Sequence, residues 1–130
     1  MPVVTLGGVF IQVTNLEQSI KYYTEVLGFR ARGIEDWGNG ERGATLFFDE
    51  PQGKPLVTLA EAARVPAAER PLFNLQCTDI EAMHKQMREA GHPVSELVQW
   101  DSEWNRHLHF DLHDPDGNPI NLIQVQRKQK

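Results

Sequence analysis

The sequence predicts an α+β fold built from two tandem βαβββ modules. The first observation is an internal repeat: residues 50–57 resemble 114–121, and residues 14–17 resemble 78–81, at one common offset of 64 positions. The second is that each copy begins with a strand-like alternation of apolar residues, which is followed by a helix-like pattern. An offset shared by several elements indicates that one supersecondary unit has been duplicated.

The 130 residues are expected to form one domain, with module 1 at about 1–60, a linker at about 61–71 and module 2 at about 72–126. The linker prediction rests on Pro66 and Pro71, which interrupt a stretch rich in Ala and Glu. A chain of half this length buries little surface, so we expect the two modules to fold together.

Module 1 begins with a predicted strand at Val9–Val13, where the odd positions are apolar. Asn15 is a suitable N-cap, apolar residues then recur at helical spacing as far as Leu27, and Gly28 is suited to end the helix. Three strands are predicted at 29–34, 44–48 and 56–60, separated by a glycine-rich loop at 38–43 and a turn at 51–53.

Module 2 repeats this order. Its strands are predicted at 72–77, 94–98, 108–112 and 120–125, with a helix at 80–90 that Gly91 ends. Between the last two strands, Pro115 presets one φ angle and Gly117 permits a positive one. A tight turn is therefore expected there.

Composition excludes several classes of protein. The formal net charge is −5 and the only clustered cations are Arg127, Lys128 and Lys130, so a nucleic-acid partner is not expected. Cys77 is the only cysteine, which rules out an intrachain disulfide, and its apolar surroundings predict a buried side chain rather than a nucleophile. No signal-like or membrane-spanning apolar stretch is present, so we expect a cytoplasmic protein with no membrane partner.

The apolar phase of the strands predicts which sheet face packs against the helices. The opposite face mixes polar and apolar residues, and Val57 and Leu59 are expected to add to its apolar surface. Such a face is a candidate pocket lining, although a polar face exposed to water is the simpler alternative. Its predicted residues are Gly8, Phe10, Gln12, Leu72, Asn74, Gln76, His109, Asp111, Asn121 and Ile123.

Residues 8–29, GVFIQVTNLEQSIKYYTEVLGF, together with the late DPDGN turn at 114–118, resemble the vicinal oxygen chelate superfamily. The superfamily includes glyoxalase I, the extradiol dioxygenases, the fosfomycin-resistance enzymes and the bleomycin-resistance binding proteins. The resemblance covers nearly the whole chain. It implies two βαβββ modules whose eight strands form a curved, barrel-like sheet around a cavity, often within a homodimer.

The metal-dependent members of this superfamily take one ligand from the first strand and one from the last strand of each module, usually His, Gln or Glu. Carried over by the resemblance, these places are Gly8, about Val57, Leu72 and Asn121, and a shift of one residue would supply Thr58. Gly, Val and Leu have no side-chain donor, and an Asn amide is a weak neutral one. We therefore expect no cofactor, and a bound divalent metal is disfavoured.

The histidines offer an alternative metal site. His107, His109 and Asp111 share one face of a predicted strand, and His113 follows them, so chelation by this group is possible in principle. Such a group more often lines a polar pocket or faces water. His84 lies beside the apolar stripe of the second helix, where we expect a packed, neutral side chain.

The tryptophans are the other notable feature. Trp37 and Trp100 occupy matching places in the two modules when one residue is dropped, and Trp104 follows closely. Large apolar rings in loops or at strand ends are costly to expose unless something covers them. Packing against the ring's own module and stacking on a ligand are equally good explanations.

Two functions remain open. The first is a metal-free small-molecule binding protein of the glyoxalase/bleomycin-resistance type, which holds an aromatic or apolar ligand in the barrel cavity. The second is a glyoxalase-like lyase or isomerase, or a dioxygenase-related enzyme, with an unconventional site at His107, His109 and Asp111, in which His109 is the base and Asp111 orients it. The predicted ligand-binding residues are Phe10, Gln12, Trp37, Asn74, Gln76, Trp100, Trp104, His109, Asp111 and Asn121.

Overall fold

The computed structural model describes residues 2–4, 6–48 and 57–128. It divides into two compact units, unit 1 (Met1–Pro66) and unit 2 (Ala67–Lys130). The described residues form two helices and nine strands, in one mixed sheet per unit. The predicted α+β class with two tandem modules is confirmed, and the predicted turn at 51–53 lies outside the described residues.

The described residues of unit 1 form one helix and five strands. They are β1 (Val9–Val13), α1 (Leu16–Glu25), β2 (Arg30–Ala31), β3 (Glu35–Gly38), β4 (Glu41–Phe47) and β5 (Val57–Glu61). The sheet order is β1-β5-β4-β2, and β3 also pairs with β4. The first and last strands, β1 and β5, run parallel, whereas the other pairs are antiparallel.

Unit 2 repeats the pattern with one strand fewer. Its elements are β6 (Asn74–Gln76), α2 (Ile80–Glu89), β7 (Val98–Asp101), β8 (Asn105–His113) and β9 (Pro119–Arg127). The sheet order is β6-β9-β8-β7. Here too the first and last strands, β6 and β9, are parallel and the remaining pairs are antiparallel. The two units therefore share one pairing scheme.

Several predicted strands are wrong in extent: β6 is shorter than the predicted 72–77, β8 is longer than the predicted 108–112, and 29–34 and 94–98 differ most. The segment 29–34 forms only the two-residue β2, because Gly33 at a φ of +136° separates it from β3. The segment 94–98 makes a single bridge, from Val94 to Leu112, and the continuous ladder of β7 begins at Val98. The backbone between them is held at one point, where Ser95 donates its N–H to the Asp111 carbonyl oxygen.

The expected loop at 38–43 is a hairpin turn. Gly38 pairs with Glu41, so the connection between β3 and β4 has only two residues, Asn39 and Gly40. Their φ angles are +56° and +79°, which are those of a type I′ turn. Asn-Gly is the dipeptide that this turn favours, because both of its positions require positive φ.

The core of unit 1 lies between α1 and the sheet, where α1 contacts β4 and β5. Leu16 and Tyr23 of the helix are fully buried, as are Val13, Leu46 and Leu59 of the strands. Val57 is also buried, at 2% exposure. Val57 and Leu59 thus pack on the helix side, and their predicted place on the opposite face is wrong.

The core of unit 2 is formed by α2 against β8 and β9. Ile80 and Met87 of the helix are buried, and the sheet residues that meet the helix alternate along their strands. His84 is buried as well, with its ring 4.7 Å from that of Phe110 and its Nε2 2.8 Å from the Ser95 carbonyl oxygen. The expected packed histidine is confirmed. The buried sheet residues are Phe110, Leu112, Ile120 and Leu122.

The turn between β8 and β9 is organised by Asp114. Its Oδ1 accepts hydrogen bonds from the N–H groups of Asp116 and Asn118, both at 2.9 Å, and its Oδ2 accepts one from the Asn118 amide. The Gly117 N–H donates to the Asp114 carbonyl oxygen, and Gly117 has a φ of +82°. The tight turn predicted from Pro115 and Gly117 is therefore present.

Each helix has its first N–H bound by a side chain from the last strand of its own unit. In unit 1 the Leu16 N–H donates to Glu61 Oε2 at 3.2 Å, and in unit 2 the Ile80 N–H donates to Gln124 Oε1 at 3.0 Å. Free N–H groups at a helix N-terminus need acceptors, so these contacts connect each helix to its sheet.

Candidate functional site

The candidate site in unit 2 is the helix-free face of its sheet, meaning the face opposite α2. Side chains alternate along a strand, so residues between the buried ones point to this face. The pairing register groups them into three rows across the sheet. The polar row is Asn74, Asn121 and Asp111; the central row is Gln76, Ile123, His109 and Val98; the aromatic row is Val125, His107 and Trp100.

The polar row is linked by hydrogen bonds. Asn121 Nδ2 donates to Asp111 Oδ1 at 2.9 Å and approaches the Phe110 carbonyl oxygen at 3.5 Å. Asp111 and Asn121 are both half-buried, while Asn74 on the edge strand β6 is exposed. The structure thus brings together three of the predicted ligand-binding residues in one row.

The central row provides apolar surface next to the polar row. Ile123 lies between Gln76 and His109, and His109 lies opposite Val98. Val98 is 45% exposed, although it is an apolar side chain on an edge strand. Neither Val98 nor Val125 was among the predicted site residues, although both lie within the predicted strands 94–98 and 120–125.

The aromatic row contains the ring pair Trp100 and His107. Their centroids are 4.8 Å apart with an interplanar angle of 44°, and Trp100 is 57% exposed. Trp104 lies in the connection between β7 and β8, where its carbonyl oxygen accepts a hydrogen bond from the Lys128 N–H. Trp100 therefore belongs to the face, whereas Trp104 lies outside its rows.

The helix-free face of unit 1 differs. Phe10 and Gln12 point to it from β1, paired with Thr58 and Ala60 of β5, and Phe10 is 75% exposed. Thr45 of β4 lies opposite Thr58. The predicted residues Phe10 and Gln12 are thus on one face of unit 1, and Thr45 and Thr58 join them.

Trp37 packs on its own unit. Its ring lies directly over Gly43 of the neighbouring strand, where an added Cβ would overlap the ring and would lie 2.5 Å from the Leu59 carbonyl oxygen. Its Nε1 donates to Glu35 Oε1 at 3.4 Å. A glycine inside a strand is a sequence signal for such a close approach.

The residues at the family's four ligand positions do not fit a divalent metal. Gly8 and Leu72 precede β1 and β6, and Leu72 is 93% exposed. Val57 faces the helix, whereas Thr58, the alternative one residue along, lies on the helix-free face. Asn121 directs its amide nitrogen toward Asp111, and a neutral hydroxyl and amide oxygen are weak ligands for a divalent ion.

The alternative metal site, at His107, His109 and Asp111, lies on β8. His107, His109 and Asp111 do share one strand face, but no three His, Cys, Asp or Glu side chains converge on a possible metal position within the described part of the chain. Asp111 Oδ1 accepts from Asn121. In the metal-free enzyme hypothesis Asp111 orients His109, and this role requires a hydrogen bond from a ring nitrogen of His109 to the Asp111 carboxylate.

Ser95 is a site residue that the sequence did not reveal. Its Oγ accepts the Asp111 N–H at 2.7 Å, and its N–H donates to the Asp111 carbonyl oxygen at 2.9 Å. Both backbone groups of Asp111 are therefore held by one serine. No local pattern marks Ser95, since its partner is sixteen residues away.

A shallow hollow at the end of β6 is lined by Gln76, Cys77, Thr78, Gln124 and Val125. Burial raises the pKa of the Cys77 thiol above its ordinary value. A higher pKa leaves less of the reactive thiolate at neutral pH. Cys77 is half-buried, whereas a fully buried side chain was expected.

Within the described ranges, neither helix has the length and apolar character needed to cross a lipid bilayer.

Solved structures with the same fold include several kinds of protein. An antibiotic-binding protein, TnmS3 from Streptomyces sp. CB03234, is 22% identical, with 97% of this chain and 99% of that chain covered and a TM-score of 0.69. The trypanothione-dependent glyoxalase I of Leishmania major is 20% identical, with 93% and 87% covered and a TM-score of 0.67. A glyoxalase/bleomycin resistance protein/dioxygenase superfamily member from Sphaerobacter thermophilus is 21% identical, with 93% and 98% covered and a TM-score of 0.71.

A search of curated proteins finds no match. The family model for the Glyoxalase/Bleomycin resistance protein/Dioxygenase superfamily matches residues 5–122, which is most of the chain. The matched range includes both helices and all the strands up to the first residues of β9, which runs from Pro119 to Arg127. This chain therefore belongs to the Glyoxalase/Bleomycin resistance protein/Dioxygenase superfamily.

Proposed function

We propose that this chain is a metal-free small-molecule binding protein whose ligand is aromatic or apolar and lies on the helix-free face of unit 2. The observation that carries the proposal is the make-up of that face. An exposed tryptophan, the apolar residues Ile123 and Val98 of the central row, and an oriented polar row lie side by side, while the superfamily's ligand positions offer only weak neutral donors.

Burial of apolar surface is the source of affinity in this proposal. Trp100, Val98 and Val125 are 57%, 45% and 39% exposed, so each has apolar surface that a flat ligand can cover. Covering about 100 Å² of apolar surface contributes roughly 2.5 kcal/mol, and a stacked aromatic pair adds about 0.5–1.5 kcal/mol. Binding without a metal is then feasible.

The superfamily context supports this class of function. TnmS3, which shares the fold, is described as an antibiotic-binding protein. Its identity to this chain is low, so it supports the fold and leaves the ligand to be found from the site itself.

The test is a small-molecule panel measured by thermal shift and tryptophan fluorescence, with and without EDTA. We expect hits that persist in EDTA and that weaken about tenfold or more in Trp100→Ala, because the stacking surface is lost. Trp100→Phe is the matched control, since it keeps an aromatic ring and most of the affinity. Hits that disappear with EDTA would contradict metal-free binding, and hits unaffected by Trp100→Ala would contradict the role of this face.

We also propose that the protein is a homodimer. Phe10 and Leu72 are 75% and 93% exposed, and exposed large apolar side chains of this kind are often covered by a second copy. Light scattering at micromolar concentration should give about twice the mass of the 14.8 kDa chain. A mass near that of a single chain would contradict the dimer.

A further inference from the structure

The carboxylate of Asp111 is the one charged group in the polar row of unit 2. It is half-buried, and among the described residues no lysine or arginine forms an ion pair with it. A partly buried charge without a counter-charge is unfavourable unless something binds it. Asp111 therefore offers a negative charge without a counter-charge in the polar row of the candidate site.

The neighbouring amide of Asn121 has a defined orientation. Its two close contacts, Asp111 Oδ1 at 2.9 Å and the Phe110 carbonyl oxygen at 3.5 Å, are both acceptors. Only the amide nitrogen can donate to them, so Oδ1 of Asn121 is on the other side of the group. The pair consequently offers acceptors from both residues, whereas the Asn121 donor is already engaged.

The pair is held in place before any ligand binds. Ser95 binds both backbone groups of Asp111, through its Oγ at 2.7 Å and its N–H at 2.9 Å. Asn121 lies on β9, between the edge strand β6 and β8. Acceptors that are fixed in this way lose little conformational entropy when they bind a donor.

We propose that the ligand carries a protonated amine or amidinium group, which Asp111 and Oδ1 of Asn121 bind, while its apolar part lies on the central row. This inference rests on the proposed function and names the chemistry of the ligand. The central row, with Ile123 and Val98, is two residues along the strands from the polar row, or about 7 Å. A short linker between cation and ring spans that distance.

The test uses three probes with one ring and one chain length: 4-phenylbutylamine, 4-phenylbutan-1-ol and 4-phenylbutanoic acid. They carry a positive charge, no charge and a negative charge at the same position. Dissociation constants are measured by amide chemical-shift titration of the full chain at low salt and pH 8, above the ordinary histidine pKa of about 6.5. We expect the amine to bind about tenfold more tightly than the alcohol, and the acid to bind most weakly.

Asp111→Asn should remove the preference for the amine, because the amine and the alcohol then meet a neutral acceptor and bind with similar affinity. The variant keeps an acceptor for Asn121, so the polar row can stay intact. Glu103→Gln is the matched control, because it removes the same charge from an exposed position outside the rows. It should keep the preference.

The outcomes separate the two proposals. Equal affinity for amine and alcohol in the wild type, or an amine preference that survives Asp111→Asn, would overturn the inference and leave the proposed function standing. If none of the three probes shifts the resonances of the helix-free face, the proposed function fails for arylalkyl ligands and the inference fails with it. The wild-type comparison decides the matter even if a variant does not fold.

Discussion

The two units share one pairing scheme but use their equivalent tryptophans differently. In unit 1 the ring of Trp37 lies over Gly43, which is paired with Glu35, two residues before the tryptophan. In unit 2 the corresponding pair is Val98 and His109, so an imidazole occupies the place of the glycine. Trp100 contacts His107 and remains 57% exposed. The side chain of His109 takes the place that Gly43 leaves open in unit 1. The ring of Trp100 therefore does not pack down on its neighbouring strand as Trp37 does, and it stays exposed.

The units also differ in how they bind the first N–H of each helix. Glu61 of unit 1 is charged and accepts two hydrogen bonds from Arg42, both at 2.8 Å, and Arg42 also pairs with Glu17 at 2.9 Å. Gln124 of unit 2 performs the same contact as a neutral amide. The need for an acceptor is common to both units, while the charge is particular to unit 1.

The largest expected effect on stability comes from the close contact between the Trp37 ring and Gly43 in unit 1. Gly43→Ala should lower the free energy of unfolding by about 3 kcal/mol, because the added methyl overlaps the Trp37 ring and crowds the Leu59 carbonyl oxygen. Urea denaturation measures the change. Gly7→Ala is the control, since nothing lies within 4 Å of a Cβ there. Equal stability of the two variants would contradict the packing of Trp37 on Gly43.

A smaller effect is expected in the hairpin turns, one in each unit. Gly40 and Gly117 have φ angles of +79° and +82°, so replacement of either by alanine should cost about 1–2 kcal/mol. Thermal unfolding of the two variants should show similar losses, although the turns differ in length. A silent Gly40→Ala would contradict the type I′ turn between β3 and β4.

The smallest effect is a dependence of stability on pH that the charged Glu61 of unit 1 should cause and the neutral Gln124 of unit 2 should not. Hydrogen bonds from Arg42, and then from the Leu16 N–H, lower the pKa of Glu61 below its ordinary value. The ionised form is therefore favoured in the folded state. Its contribution is complete above the unfolded pKa of about 4.3 and is lost as the pH falls through the lower folded pKa.

Glu61→Gln tests this expectation. The variant should have a lower Tm than the wild type at pH 7, and the difference should shrink as the pH falls below about 4. Gln124→Ala is the control, because it also removes a helix acceptor but no charge. A Tm difference that is the same at pH 7 and pH 3 would contradict a role for the Glu61 charge.

The sequence alone determined the class of fold and which residues several strands place on the helix-free faces. Alternation at Val9–Val13, the Asn15 cap and the positive-φ glycines are local signals, and each gives an element where the structure has one. The helix-free faces were also predictable, because Phe10, Gln12, Asn74 and Gln76 alternate with apolar neighbours. The Asn39-Gly40 hairpin carried an equally local signal, which the prediction of a loop overlooked.

Only the tertiary structure decided which residues meet across strands. A common offset of 64 paired Val57 with Asn121, but the ladders pair Phe10 with Thr58 and Asn74 with Asn121, so the last strands are related by 63 positions. One residue of slip exchanges the two faces of a strand, which is why Val57 is buried and Thr58 is not. The Asp111–Asn121 bond and the Ser95 anchor likewise depend on pairing between distant segments, and no local pattern encodes that register.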